Sequence, residues 1–392
     1  MSAVFLRPTI AAQMTQQLLH PNALDEAFRS GLFISGVRRT GKTTFLRHDL
    51  IPALEAEGAL VIYVDLWSDT QANPARLIHA AVRDTLTELQ TPHSRFLEKM
   101  AKLRSADIGA MGFKFGFKLD ALGEAGGPTL AQAFQEVVDQ AKSDLVLIVD
   151  EVQHAMTTDE GNQMLFALKA ARDAINQRPG TPGHFIFIGT GSHRAMVQEL
   201  TTRRTQAFAG AVSVAFPVLK EDYVRYVLER MTSEGLKPLP SLEIANQAFR
   251  TLGNRPEEFL RALRMQVSRS QGGGEDPDIV LPIVASTMRA MAAEVELTRV
   301  EEMGGLAKAI FEKIAATEGE AKGIFSAAAA GEYTKAIGRE VKVEEIQPAA
   351  NVLLAANLIV RQGHGIYNIS DPFVQDIWKE RQAMLTSPPE QD

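Results

Sequence analysis

Hydrophobic positions in this chain follow two patterns, which change from one to the other near residue 217. Apolar and polar residues mix at helical spacing through residues 1–30, until Gly31 breaks the pattern. The short apolar stretch Leu32-Phe33-Ile34-Ser35 predicts a strand, and Lys42 to Glu57 predicts a helix that Pro52 kinks or shortens. Ala59 to Asp65 is a continuous apolar run, the mark of a strand buried on both faces. Residues 74–105 are helical in pattern. Residues 108–120 alternate (Met111, Phe113, Phe115, Phe117, Leu119) as a strand or hairpin does, and the phenylalanines are read as sheet packing. After a Gly123–Pro128 loop and a helix over about 129–142 comes a third apolar run, Leu145 to Val149. A helix over about 161–177, a fourth run at Phe185–Ile188 and a short fifth at Ala211–Phe216 complete this half. Strands alternating with helices predict a three-layer α/β core whose parallel sheet is covered on both faces.

From 220 to 268 the pattern is helical throughout. Ser270 to Pro277, with three consecutive glycines, reads as a flexible linker. Helices then run to about 356. Leu358-Ile359-Val360 and Gly365 to Ile369 flank Gln362-Gly363-His364 as a hairpin, the order of a winged helix. The predicted domains are a core over 1–217, a helical lid over 218–268 and a winged-helix-like domain over 280–385. No internal repeat appears.

The junction after the first strand carries the strongest chemistry. Gly36-Val37-Arg38-Arg39-Thr40-Gly41-Lys42-Thr43 fits G-x-x-x-x-G-K-T, with an apolar strand before it and a helix after it. Glycines let the backbone turn its N–H groups onto phosphates, and the following helix adds donors and a positive dipole end. Lys42 is expected to neutralise the β- and γ-phosphates, and the Thr43 hydroxyl to ligate Mg²⁺. The third strand ends in Asp150-Glu151. Asp150 is the candidate second metal-site acid and Glu151 the candidate base for the attacking water. The fourth strand ends in Gly189-Thr190-Gly191-Ser192, where Thr190 or Ser192 would lie beside the γ-phosphate if that strand neighbours the third. The plain alternative is an ordinary glycine-rich strand exit. The eight histidines are scattered without metal spacing, and the absence of cysteine excludes disulfides and thiolate zinc sites.

Composition is close to the soluble globular average, with 45% apolar and 23% charged residues. The N-terminus lacks the order of a signal peptide, and no apolar run reaches the roughly 20 residues that span a bilayer. A cytoplasmic protein with no membrane partner is expected. Net charge is −7, which gives no global attraction to nucleic acid. The segment expected to present the recognition helix, Val343 to Leu354, has two glutamates and no lysine or arginine. Only Lys335, Arg339 and Lys342 nearby could favour a duplex, so a protein contact is expected before a DNA contact.

Ile34 to Thr44, Val149-Asp150-Glu151-Val152-Gln153 and Gly191-Ser192 resemble the archaeal-type ATPase family, near the signal-transducing and origin-recognition branches of the AAA+ ATPases. Gly365 to Phe373, with Trp378 following, looks like the family's closing winged-helix signature. The resemblance implies ATP and Mg²⁺ as cofactors, a nucleotide site over Gly36–Thr44, and a molecular switch acting on an unidentified partner protein. The alternative is a DNA-associated ATPase of initiator or mobile-element-helper type; a small-molecule P-loop kinase is disfavoured by the Asp-Glu pair and the C-terminal domain. No guanine-reading N-K-x-D motif is present. The family pattern also makes Arg203 or Arg204 a candidate finger completing a neighbour's site, which would require a nucleotide-dependent homo-oligomer. The alternative for these two is a solvated basic turn. Arg255, in Gly253-Asn254-Arg255-Pro256, falls where AAA+ relatives carry a second sensor that couples hydrolysis to lid movement.

Overall fold

The computed structural model describes residues 4–386 except 70, 93–96, 99–111, 125, 193 and 364. The chain divides into two compact units, 1–218 and 219–392.

In the first unit, α1 (Pro8–Leu19) leads to β1 (Leu32–Ser35), α2 (Lys42–Phe45) and α3 (Ile51–Ala56). Then come β2 (Leu60–Asp65), α4 (Pro74–Gln90), α5 (Leu130–Ala141), β3 (Leu145–Asp150) and α6 (Asp159–Asn176). β4 (Phe185–Gly191), α7 (Arg194–Thr202) and β5 (Val212–Ala215) close the unit. The five strands are parallel in the order β2-β3-β4-β1-β5. Every residue of β1, β3 and β4 is buried, as their unbroken apolar runs require. Phe33, Leu147 and Phe187 belong to one core layer, Ile34, Ile148 and Ile188 to the other, so helices cover both faces.

Two expectations for this unit change. The helix expected over 42–57 is interrupted by a π-helical stretch, Leu46–Leu50, and Pro52 starts α3. The wider turn accommodates the hydrogen bond that proline cannot donate. The alternation at Phe113–Leu119 builds no strand, and its start at 108–111 lies outside the described residues. The Lys114 backbone bonds instead to the Gln140 side chain, at 2.9 and 2.8 Å, and Gly116 N–H donates to Glu136 at 2.9 Å, both acceptors being on α5. The rings of Phe115 and Phe117 stack 5.6 Å apart. Side chains of a helix do here what a neighbouring strand would do.

The second unit opens with α8 (Glu221–Ser233), α9 (Leu242–Thr251) and α10 (Pro256–Gly273). The expected linker is a tight helix-to-helix turn. Gly274 ends α10 in the left-handed region (φ 66°), and Asp276 caps α11 (Pro277–Glu302) by accepting from Asp278 N–H at 2.9 Å. Next are α12 (Gly305–Ala316), β6 (Ala321–Lys322), α13 (Ala327–Ile337), α14 (Val343–Ala355), β7 (Ile359–Gly363), β8 (Ile366–Ile369) and α15 (Pro372–Thr386). Helix, short strand, two helices and a hairpin, with a sheet ordered β6-β8-β7, follow the element order of a winged helix. The late residues of α11, Ala293, Leu297 and Val300, pack into its core. No described helix is long and apolar enough to cross a membrane.

Candidate nucleotide site

Strand order decides what meets at the carboxyl edge of the sheet. β4 lies between β1 and β3, so its exit stands between the glycine loop and Asp150-Glu151. Ser35 pairs with Gly191, Val149 with Gly189, and Asp65 with Asp150.

The loop itself is built from its own backbone. Arg39 (φ 64°) and Gly41 (φ 90°) take left-handed conformations, which turn successive N–H groups to one side. A Cβ on Gly36 would stand 2.8 Å from the Phe216 Cβ, so only glycine fits where the loop presses on that ring. Around Gly41 the space within 4 Å of such a Cβ is open. The Thr40 hydroxyl donates to Val37 O at 2.8 Å. Lys42, 7% exposed, crosses beneath the loop and donates to Gly36 O (2.9 Å) and Val37 O (3.3 Å). Burial holds its ammonium below the ordinary lysine pKa, an effect opposed by the charges of Glu151 and Asp150. Thr43 and Thr44 are exposed at the first turn of α2.

Asp150 is buried (1% exposed) and surrounded by donors. Thr43 Oγ1 donates to its Oδ2 at 2.7 Å, Tyr63 OH to the same oxygen at 3.1 Å, Thr190 Oγ1 to Oδ1, and Glu151 N–H to Oδ1 at 3.1 Å. The loop hydroxyl, the third-strand acid and the fourth-strand hydroxyl thus form one contact chain. A carboxylate beside a hydroxyl is the hard-oxygen set that suits Mg²⁺. Asp65, next to Asp150 in register, has its carboxyl pushed up by burial.

Glu151 sits in the left-handed region (φ 56°), an unusual place for a non-glycine residue. Its Oε2 accepts from Ser192 N–H (3.0 Å), Ser192 Oγ (2.8 Å) and Gln153 Nε2 (2.5 Å). Arg38 Nε reaches Ser192 Oγ at 3.3 Å while its guanidinium lies over the Trp67 ring, 4.1 Å from the centroid. The structure therefore brings Lys42, Thr43, Asp150, Glu151, Thr190 and Ser192 together, with Thr190 on Asp150 and Ser192 on Glu151. Sequence reasoning gave no role to Tyr63, Gln153 or Trp67. Gln153, two residues beyond the acidic pair in chain order, was visible only as part of a familiar segment.

The arginine candidates lie elsewhere. Arg203, one residue past α7, pairs with Glu199 of that helix at 2.6 Å; Arg204 is exposed, with no ion pair among the described residues. Arg255, in the second unit, pairs with Asp371 at the start of α15 (2.7 Å) beside Phe373, which closes on Gly253. Replacing either partner by alanine should destabilise that unit. A double-mutant cycle followed by denaturant unfolding should give a coupling of about 0.5–3 kcal/mol. Additive effects would mean that the pair is only a surface neighbourhood.

Comparison with known proteins agrees with this geometry. Residues 29–197 match the family model described as an AAA domain, a span that includes the glycine loop, Asp150-Glu151 and Ser192. No curated protein matches the chain. Among solved structures, the ADP form of the ORC2 protein of Aeropyrum pernix aligns with a TM-score of 0.54 at 13% identity, covering 98% of each chain. The same ORC2 protein in its ADPNP-ADP complexes gives a TM-score of 0.46 at 13% identity, covering 97% of each chain. The Aeropyrum pernix ORC1 protein in complex with DNA gives 0.42 at 15%, covering 98% of this chain and 95% of that one. The first of these shares the fold. The glycine loop, the acidic pair and the fourth-strand exit all lie inside the family match, so residues 29–197 form an AAA domain.

Proposed function

We propose that the chain is a Mg²⁺-dependent ATPase that works as a molecular switch on a partner protein. The observation that supports it most is the joining of Thr43, Asp150 and Thr190 in one contact chain, with Glu151 held beside them on Ser192. In this reading the loop N–H groups and Lys42 hold the phosphates, and Thr43 and Asp150 would hold the metal ion, which when bound offsets phosphate charge. Glu151 accepts the proton of the attacking water, and Ser192 and Thr190 keep the two carboxylates apart in role. Arg204, free of the local pairing that occupies Arg203, is the better candidate to act on a second copy.

A protein partner is favoured over DNA by charge. Residues 219–392 carry 20 basic and 26 acidic residues, against 21 and 22 in residues 1–218. α14 leaves Val343 in its first turn and Val352 near its end more than two-fifths exposed, and the exposed Glu344 follows Val343. Arg339, one of the three nearby cations, is paired with Glu345 at 2.9 Å. Phosphate contact needs unpaired positive charge, and this face has little.

The second reading, a DNA-associated ATPase of initiator or mobile-element-helper type, is favoured by the winged-helix order itself. Titration of a labelled duplex at low salt separates the two. The expected result is no saturable binding with or without ATP. Binding that weakens steeply with salt, and is lost on neutralising Lys335, Arg339 and Lys342, would transfer the assignment to the second reading.

A further inference from the structure

We infer that Gln153 is a positioning residue for hydrolysis, which orients the Glu151 carboxylate by holding one of its oxygens. The inference rests on the reading of Glu151 as the base for the attacking water.

Four observations converge on Gln153. Its amide Nε2 donates to Glu151 Oε2 at 2.5 Å, the shortest of the three hydrogen bonds on that oxygen. The side chain is buried, 6% exposed, yet its Oε1 has no hydrogen-bond partner. A buried carbonyl oxygen without a donor is destabilising, so the amide is in place for what its nitrogen does. The opposite orientation of the amide would set Oε1 against the Glu151 carboxylate, so the sense of the contact is dictated by charge. Finally, a Cβ on Gly191 would lie 2.1 Å from that Oε1, so the glycine at the end of β4 leaves the space that the amide fills.

The consequence is an asymmetric carboxylate. Oε2 receives three donors, which fill its acceptor capacity. Oε1 is the oxygen left for the water proton. This is the logic by which a catalytic base is oriented by a third group that never touches the substrate. Glu151 is in the left-handed region and lacks the support of a regular strand or helix, so its side-chain direction depends on such tethers.

Gln153→Met tests this, because it keeps length and volume and removes both the donor and the orphaned acceptor. The three readouts are kcat for ATP, equilibrium affinity for ATP, and Tm. Expected are a kcat lowered about 10- to 100-fold, as when an orienting partner is lost, an ATP affinity within about twofold of the parent, and a Tm unchanged or raised. A purely packing role would move Tm and kcat together, and that outcome overturns the inference. An unchanged or increased kcat overturns it as well, since the contact would then be idle or restraining. Gln153→Ala, which leaves a cavity, should lower kcat by the same factor but also lower Tm, separating the tether from the packing. Glu151→Gln, measured alongside, distinguishes the two levels of the reading. If it retains turnover, the assignment of the base fails; if it loses turnover while Gln153→Met does not, only the tether fails.

Discussion

Glu151→Gln should bind ATP as tightly as the parent and hydrolyse it about 100- to 10,000-fold more slowly, the range over which a positioned general base acts. The substitution changes little else. The amide oxygen can still accept from Ser192 and Gln153, which donate to Glu151 Oε2 at 2.8, 3.0 and 2.5 Å, so the side chain keeps its place. What it loses is the ability to take a proton. Asp150 keeps its donors Thr43 and Tyr63 at 2.7 and 3.1 Å, so the phosphate end of the site is untouched. Single-turnover phosphate release together with equilibrium binding of a fluorescent ATP analogue measures both halves. Turnover within about threefold of the parent would assign the proton to another group.

Lys42→Ala should act on the other half, weakening ATP binding about 30-fold or more. Lys42 is 7% exposed and burial lowers its pKa, so its charge is held at a desolvation cost that Glu151 and Asp150 only partly offset and that a bound phosphate would offset further. Truncating one member of such a buried, hydrogen-bonded charge pair costs about 2–5 kcal/mol. Gly36 O and Val37 O also lose their donor, at 2.9 and 3.3 Å, so some loss of loop order accompanies it. Isothermal titration with ATP and with ADP reads the effect. An affinity within about threefold of the parent for both would show that the backbone cradle alone holds the phosphates.

How much of this could be read from residues alone follows from the kind of signal each feature leaves. β1, β3 and β4 are buried on both faces, so their sequences are unbroken apolar runs and the parallel sheet is plain. The glycine loop and Asp150-Glu151 are local motifs at strand ends, legible for the same reason. Phe113 to Leu119 alternated convincingly, but alternation states only which side is buried, not that a partner strand exists; α5 supplied the partner. The glycines before Pro277 looked like a linker because a left-handed helix cap and an Asp-Pro helix start draw on the same residues that loops do. β6 spans two residues, too few to leave a period. Tyr63 and Gln153 act through contacts made by strand register and by a left-handed turn, and neither leaves a mark in the chain order.

That capped turn at Gly274 has a mechanical consequence. α11 is 26 residues long, about 39 Å at 1.5 Å per residue, and it follows the turn without a flexible joint. Its N-terminal end is tied to the helices before it, where Asp278 accepts from Ser241 N–H at 2.6 Å, and its far end is embedded in the hydrophobic core of the C-terminal helices and hairpin. Such a strut ties the helices before it and the core after it into one piece within residues 219–392. In the first unit, the stretch after β5 returns to the glycine loop. There Phe216 packs against Gly36 of the phosphate loop, and the Arg7 guanidinium holds Pro217 O at 2.6 Å. Phe216, near the end of the first unit, is therefore a wall of the glycine loop itself, and a side chain there that alters its packing reaches the loop directly.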